Sequence, residues 1–555
     1  MKFELEQKVN LACMELFNIE ANVELSRPDE QFGEYSTSVA MQIANKFGTN
    51  PIEISNKLVP LLKTKLGDQV TDINVAGPGF INIKLSDQTL IRALEDQPQK
   101  KYQGKTIVAE YSDPNPFKVL HAGHLYTSLV GDAVSRLMEY GGAKVYRVNF
   151  GGDVGLHVGK TMWAIIKELQ GEFPEKLNAI KEQKLDWLSE RYVEGNNAYE
   201  EDEQVRNEIN SMNKRVYVLH ADNDHTSSFA QIYWTAREWS YKGFDDLYKR
   251  LKMLPFDKYY PESEVADLGL LKVKENVGKV YEESDGAIIF RGEKYGLFTQ
   301  VFINGEGLPT YAAKDVGLIF HKQQDFSPNL SFIITDVAQK DHLAVVLKSI
   351  SLFEPELVEA TTHFIHGQIK MAGGIKMSSR KGNILKAADI LEAAADASKK
   401  INSHDQQDII LSAVKYSFLK NRVGGNIVYD PSESVSLEGN SGPYLQYAHA
   451  RARSILRKAN TGGNLGSETL EGSEHSLLRK ITEYREIVDK AVSELMPHSI
   501  CTYLYELAQV FNRFYEQNRV IDDQRQDIRL ALVEYYANTL KEGLDLLGIP
   551  APDKM

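Results

Sequence analysis

KTIVAEYSDPNPFKVLHAGH, residues 105–124, is the stretch on which the reading of this chain turns. The apolar run at 106–109 has the make-up of a buried parallel strand. Pro114 and Pro116 break it, and a helix-like pattern resumes after His121. A strand, a tight loop and a helix N-terminus bring unpaired backbone N–H groups and the positive end of a helix dipole to one spot, which suits an anion. His121 and His124 bracket Gly123 at that point. Two imidazoles there can donate hydrogen bonds to phosphate oxygens, and a glycine lets a base or a phosphate approach the backbone closely. The layout points to nucleotide chemistry.

Composition bounds the rest. The 555 residues are enough for roughly three or four domains. Hydrophobic residues make up 42% and charged residues 25%, an ordinary globular balance. No apolar run reaches the ~18 residues of a membrane span. The amphipathic N-terminus carries Glu4 and Glu6, unlike a leader peptide. Cys13 and Cys501 are too few for a disulfide framework or a zinc cluster, so a cytoplasmic protein is expected. A net charge of −13 argues against non-specific coating of nucleic acid but leaves room for a local basic patch. Arg451, Arg453, Arg457 and Lys458 form one such run, either a solvated helix face or a phosphate-contacting surface.

Residues 1–100 read as a small α+β unit. Helices are expected at about 3–18, at about 36–47 and from Pro51 onward, with a strand at 80–85 (FINIKL) and a polar linker at 96–104. From 105 to about 425 strands and helices alternate as in a parallel sheet with crossover helices; KVYRVNF (144–150) and LSFIITD (330–336) are further core strands. Residues 160–280 read as a charged, mostly helical insertion without comparable strands, followed by a turn at ESDGA (283–287). Beyond about 405 the pattern is helical to the end, with a glycine-rich loop around 460–466 between two long helices.

A second basic, glycine-flanked segment lies at 373–383, GGIKMSSRKGN. Alone it could be any exposed turn; a mobile cationic loop of this kind also suits closure over a polyphosphate. The pair HAGH and KMSSR resembles the two signatures of class I aminoacyl-tRNA synthetases, with Ala122 in the place of the usual isoleucine and Ser379 in that of the second lysine. QFGEYSTSVAMQIA, VAGPGFINIKL, SDPNPFKVLHAGHL, PTYAAKD, SGPYLQYAHARARSILRKA and LLGIPAPDKM narrow the resemblance to arginyl-tRNA synthetase and extend it over nearly the whole chain.

The resemblance implies a multidomain α/β protein. It would have an additional tRNA-binding domain at 1–100, a Rossmann-type parallel-sheet catalytic domain at 101–425 with its helical insertion, and an α-helical anticodon-binding domain at 426–555. It implies an arginine–tRNA ligase that uses ATP with Mg²⁺, L-arginine and arginine-accepting tRNA, with no tightly bound cofactor, no protein metal site and no membrane partner. A monomer is expected. His121, His124, Lys118 and Lys376 would be catalytic. Gly123, Met377, Ser378 and Arg380 would join the two histidines and Lys376 around ATP. A guanidinium is planar and always charged, so its pocket needs carboxylates and oriented acceptors. By resemblance Tyr311 and Asp315 hold it, assisted by Glu262 and Glu110, while Asp113, Asn115, His124 and Gln339 surround the amino-acid end. Glu110 also reads as a buried, paired strand-end residue. Lys118 stands three residues before His121 and would supply the charge missing at Ser379. In NFGGDVGLHVGK (149–160), Asp153 is expected to shape the site floor and His157 to be structural. Tyr444, Tyr447, Arg451, Tyr515 and Met555 would meet the anticodon, although a tyrosine stripe can equally pack a bundle core. Phe32, Tyr35 and Asn74 are weaker candidates for the tRNA elbow. The rival from another class is a non-catalytic paralogue that binds arginine or tRNA.

Overall fold

The computed structural model describes residues 1–181, 183–372, 385–401, 407–459, 461–466 and 469–555. In the first unit α1 (Lys2–Phe17), α2 (Val39–Phe47) and α3 (Pro51–Leu66) cover a sheet of β1 (Tyr35–Thr37), β2 (Val70–Ala76) and β3 (Phe80–Leu85). β3 lies in the middle and is antiparallel to both neighbours. Pro51 opens α3 as expected, with the Asn50 side chain accepting from Ile52 N at 2.9 Å. The helix expected from residue 36 is corrected: Tyr35 and Thr37 pair with Ile83 and Ile81, and α2 begins only at Val39. Both side chains are buried, and strand pairing outweighs a weak local helical pattern. α4 (Asp87–Ala93) closes the unit.

β4 (Thr106–Glu110) then leads through the proline loop to α5 (Ala122–Tyr140) and back to β5 (Lys144–Gly151). Four helices follow: α6 (Leu156–Glu168), α7 (Lys184–Glu201), α8 (Glu203–Ala221) and α9 (Ser228–Arg250). They share a core of their own around Val158, Met162, Trp187, Phe229 and Tyr233. β6 (Lys258–Pro261) next rejoins the sheet beside β5, which corrects the strand-free insertion expected over 160–280. KYYP is a four-residue edge strand ending in proline. It is too short to show a period, and an edge is where proline is tolerated.

After α10 (Glu262–Glu275), β7 (Glu282–Ser284), β8 (Ala287–Phe290) and β9 (Gln300–Ile303) form a small antiparallel sheet. Asp285 and Gly286 turn its first hairpin with φ of 49° and 77°, the Asp-Gly signal legible in ESDGA. α11 (Tyr311–Phe326), β10 (Leu330–Asp336), α12 (Lys340–Ser351), α13 (Pro355–Glu359) and β11 (Thr361–His366) complete the central layer. The parallel sheet runs β11–β10–β4–β5–β6. The strand order reverses at β4, so a crevice opens at its carboxyl end.

β12 (Ile369–Met371) pairs in parallel with β13 (Ile427–Tyr429) across α14 (Ala387–Ile401) and α15 (Gln407–Leu419). The unbroken helical pattern expected beyond 405 is therefore interrupted by one strand, whose Ile427 and Tyr429 are buried. After α16 (Pro431–Ser434), the bundle consists of α17 (Gly442–Ala459), α18 (Gly472–Thr482), α19 (Tyr484–Glu494), α20 (His498–Gln517) and α21 (Gln526–Leu546).

One contact positions the site more than any other. A Cβ on Gly269 would lie 1.9 Å from Ala313 O, and one on Gly317 2.0 Å from Val265 O. α10 and α11 thus touch backbone to backbone, and their N-terminal halves carry Glu262, Tyr311 and Asp315 to the crevice.

Candidate active site

The loop after β4 is held in an uncommon conformation. Ser112, Asp113 and Phe117 have φ of 77°, 48° and 67°, left-handed values for non-glycine residues. Side chains hold it there. Asp113 Oδ1 accepts from Phe150 N and Asn115 Oδ1 from Gly152 N, both at 2.8 Å. Phe117 N donates to Ser240 Oγ of α9 at 2.9 Å, so the insertion helps to shape the loop. Burial, with the nearby Glu110 charge, pushes the Asp113 carboxyl well above the usual range.

α5 starts at HAGH, but not as the sequence implied. His121 is the N-cap, and its Nδ1 accepts from Gly123 N at 3.1 Å and His124 N at 3.4 Å. His124 Nδ1 in turn accepts from His121 N at 3.3 Å. The backbone N–H groups expected to await an anion are therefore taken by the rings. Gly123 leaves room for His121 itself, since a Cβ there would lie 2.8 Å from the ring. With both Nδ1 atoms accepting, each neutral ring carries its proton on Nε2 and offers that N–H as its donor. Burial lowers the pKa of both histidines, His124 the more, with His121 and Lys118 adding to it. The rings stack with centroids 3.7 Å apart.

The crevice is a pocket of about 500 Å³. It brings together Glu110, Asp113, Asn115, Lys118, His121, Gly123, His124, Glu262, Tyr311, Asp315 and Gln339, every proposed arginine-side residue and three of the proposed ATP-side ones. Lys376, Met377, Ser378 and Arg380 lie outside the described residues. Leu385 O accepts from Ala122 N and Ala387 N donates to Leu120 O, each at 2.9 Å, so the chain at 385–387 runs beside the first histidine.

The carboxylates differ in their partners. Glu110 is buried against Lys322, the paired strand-end arrangement. Glu262 lies 2.5 Å from Lys314, and burial raises its carboxyl to about 7 against the pull of that lysine. Asp315 faces His342 at 2.5 Å. Tyr311 is 58% exposed at the start of α11, one turn before Asp315. Lys118 Nζ sits 4.5 Å from the centre of the Tyr192 ring; burial, aided by the Lys160 charge, lowers its pKa to about 8. Asp153 does not line the pocket. It binds Arg237 of α9 at 3.0 Å and Ser263 N of α10 at 2.9 Å, fastening two elements beneath the pocket. His157 bonds Gly152 O at 2.7 Å.

Ser189 and Tyr192 of α7 and His342 of α12 line the pocket without having been anticipated. His342 follows Gln339 by three, a spacing that could have marked it; nothing local marks Tyr192.

A second cleft, of about 960 Å³, opens in the helical bundle. Tyr447, Arg451, Tyr515 and Met555 line it with Lys458 and Arg519. The Arg451 guanidinium carbon lies 4.9 Å from the Tyr447 ring centre and 5.9 Å from that of Tyr515. Tyr444, expected beside them, is not part of this lining: its hydroxyl accepts from Asn512 Nδ2 at 2.8 Å and its ring packs on Tyr505. Of the basic run, Arg453 and Arg457 bind Asp553 and so hold the chain end against α17. In the first unit Phe32 and Asn74 are exposed. Tyr35 is fully buried, donating to Glu486 at 2.7 Å, so it is a joint between units and not a surface contact.

Three family models match in order: arginyl tRNA synthetase N terminal domain at 2–85, tRNA synthetases class I (R), catalytic domain, at 87–432, and DALR anticodon binding domain at 445–555. The arginine–tRNA ligase of Bdellovibrio bacteriovorus is 31% identical over 86% of each chain. That of Fusobacterium nucleatum is 30% identical, over 95% of this chain and 94% of its own. In fold, the arginyl-tRNA synthetase of Thermus thermophilus matches with a TM-score of 0.81 at 24% identity, covering 100% of both chains. The Plasmodium falciparum enzyme matches at 0.78 and 21%, covering 100% of this chain and 99% of its own. With its catalytic layer and both flanking units matched in this order, the chain belongs to the arginyl-tRNA synthetases of class I.

Proposed function

We propose that this arginine–tRNA ligase uses the pocket at the end of β4 to hold ATP and L-arginine side by side, and the bundle cleft to hold the anticodon of its tRNA. The observation that carries the reading is the pocket itself, which brings two neutral imidazole donors and the half-buried Lys118 together with Asp315, Tyr311, Asn115 and Gln339.

In the first step an arginine carboxylate oxygen attacks the α-phosphorus of ATP in line, and the bond to pyrophosphate breaks. No covalent enzyme intermediate forms. Catalysis is positioning and electrostatic stabilisation. The Nε2–H groups of His121 and His124 donate to phosphate or ribose oxygens, and Lys118 and Lys376 offset the charge on the departing pyrophosphate. Asp315 and Tyr311 receive the guanidinium, while Asn115, with its Nδ2 free of the Gly152 bond, and Gln339 receive the amino-acid end. Mg²⁺ arrives with ATP as part of the substrate. In the second step the 2′-hydroxyl of the tRNA terminal ribose attacks the adenylate carbonyl and AMP leaves. The two buried free cysteines suit a reducing cytoplasm.

Aminoacylation of a tRNA pool with each amino acid in turn tests the assignment. Arginine alone is expected to be charged, with little ATP–pyrophosphate exchange when tRNA is left out. Binding of arginine or tRNA without any charging would instead favour the non-catalytic paralogue.

A further inference from the structure

The three carboxylates assigned to the guanidinium, Glu110, Glu262 and Asp315, are not equivalent. Glu110 is matched by Lys322 and Glu262 by Lys314, each a buried ion pair with no net charge. Asp315 is matched by an imidazole. His342 Nε2 lies 2.5 Å from Asp315 Oδ2, and His342 Nδ1 lies 2.7 Å from Gln300 Nε2 on β9. The Gln300 amide thus holds one ring nitrogen of His342 while the other, Nε2–H, donates to Asp315. The chain Gln300–His342–Asp315 thus links β9, α12 and α11 at the pocket wall, where the His342 and Asp315 side chains are 20% and 15% exposed.

We propose that His342 is the positioning residue for arginine specificity: its Nε2–H donates to Asp315 Oδ2 and so turns Oδ1 toward the substrate guanidinium, and the neutral form of the ring is the one that leaves the carboxylate its charge. A lysine in its place would orient the carboxylate equally well but cancel its charge. The inference rests on the assignment of Asp315 to the guanidinium made above.

The arrangement has a pH signature. The titratable groups facing His342 are Asp315 from α11 and His363 from β11; β9 presents the neutral Gln300. Burial works against a charged His342, but the hydrogen bond and charge of Asp315 override it and raise its pKa. Burial lowers His363 to about 4, so that ring stays neutral over the working range. As pH falls through the raised value, His342 gains a proton, neutralises Asp315 and opposes a second cation.

The test is aminoacylation by the full-length enzyme with tRNA, following KM for arginine, KM for ATP and the rate ratio of arginine to its uncharged ureido analogue citrulline. H342A is expected to raise the arginine KM by about tenfold or more and to lower the arginine-to-citrulline ratio, with the ATP KM and the melting temperature held within error. H342Q, which keeps a donor but cannot titrate, is expected to recover most of the affinity and to reduce the acid-side rise in arginine KM to the part that Glu262, with its carboxyl at about 7, leaves in place. An arginine KM within twofold of wild type in H342A, or an acid-side rise undiminished in H342Q, overturns the proposal. Should H342A fail to fold, the pH profile of H342Q decides alone. D315N separates the two levels: unchanged arginine binding there refutes the guanidinium assignment itself, whereas loss in D315N with none in H342A refutes only the role of His342.

Discussion

Lys118 is held half-buried in the pocket, over the Tyr192 ring and near enough to Glu262 to feel its charge. Its ammonium is the form that offsets phosphate charge, and burial brings its pKa down to about 8. The rate of adenylate formation is therefore expected to fall as pH rises past about 8, and K118R to extend the plateau upward, because a guanidinium does not titrate in this range. K118A is expected to slow single-turnover adenylate formation in the presence of tRNA by about a hundredfold, with arginine affinity changed only a few-fold. An unchanged single-turnover rate would sink the phosphate-directed role. Residue identity here was legible from sequence: Lys118, His121 and His124 lie within seven positions of one another, and all three reach one pocket. Their protonation was not. That the histidines cap their own helix, and so present Nε2–H, depends on ring rotamers that no spacing encodes.

The pair α10 and α11 sets the distance between Glu262 and Asp315, and two glycines set the distance between the helices. A methyl group at Gly269 would meet backbone oxygen of Ala313, which cannot rotate away. G269A is expected to cost about 1–3 kcal/mol of stability and to raise the arginine KM, measured by urea unfolding and by aminoacylation. Full stability with an unaltered KM would show that the helices can part without consequence. Elements of this length announce themselves by period and capping, as α3 does with Asn50 and Pro51. The short strands do not. β1, β6 and β13 have three or four residues each, below the span over which alternation can be counted, and exist because a neighbouring strand supplies their hydrogen bonds.

Across the molecule, the first unit is fastened to the bundle by charged groups. His475 of α18 has Nδ1 2.8 Å from Asp87 and Nε2 3.2 Å from Glu34, while Arg27 binds Glu486 at 2.6 Å. A ring with a carboxylate at each nitrogen donates to both only as imidazolium. The Glu34 hydrogen bond, then that of Asp87, raises the His475 pKa, against burial. The contribution is full below the unfolded histidine value of about 6.5 and is lost as pH rises through the raised folded value. Glu34 is held below its usual range: burial opposes this, and the His475 and Leu85 N–H bonds outweigh it, so its share is lost in acid. Thermal unfolding of wild type is therefore expected to exceed that of H475Q most between those limits, by roughly 2–4 °C, with the gap closing at higher pH. A pH-independent gap would mean that the ring acts by packing alone.

The sequence by itself determined what is written in contiguous residues: the strand, loop and helix start around HAGH, the Asp-Gly turn, the Tyr311–Asp315 spacing, and with them the family and its chemistry. Backbone preference and side-chain period act over a few residues, so they can be read there. Only the tertiary structure decided which groups answer one another over distance. Asp315 meets a histidine 27 positions away, where Glu110 meets a lysine 212 away. Tyr35 is withdrawn into a joint with Glu486, and Tyr444 is turned from the cleft that Tyr447 lines. The charge left for a guanidinium is a difference between such pairings, and a pairing is a property of the packed chain.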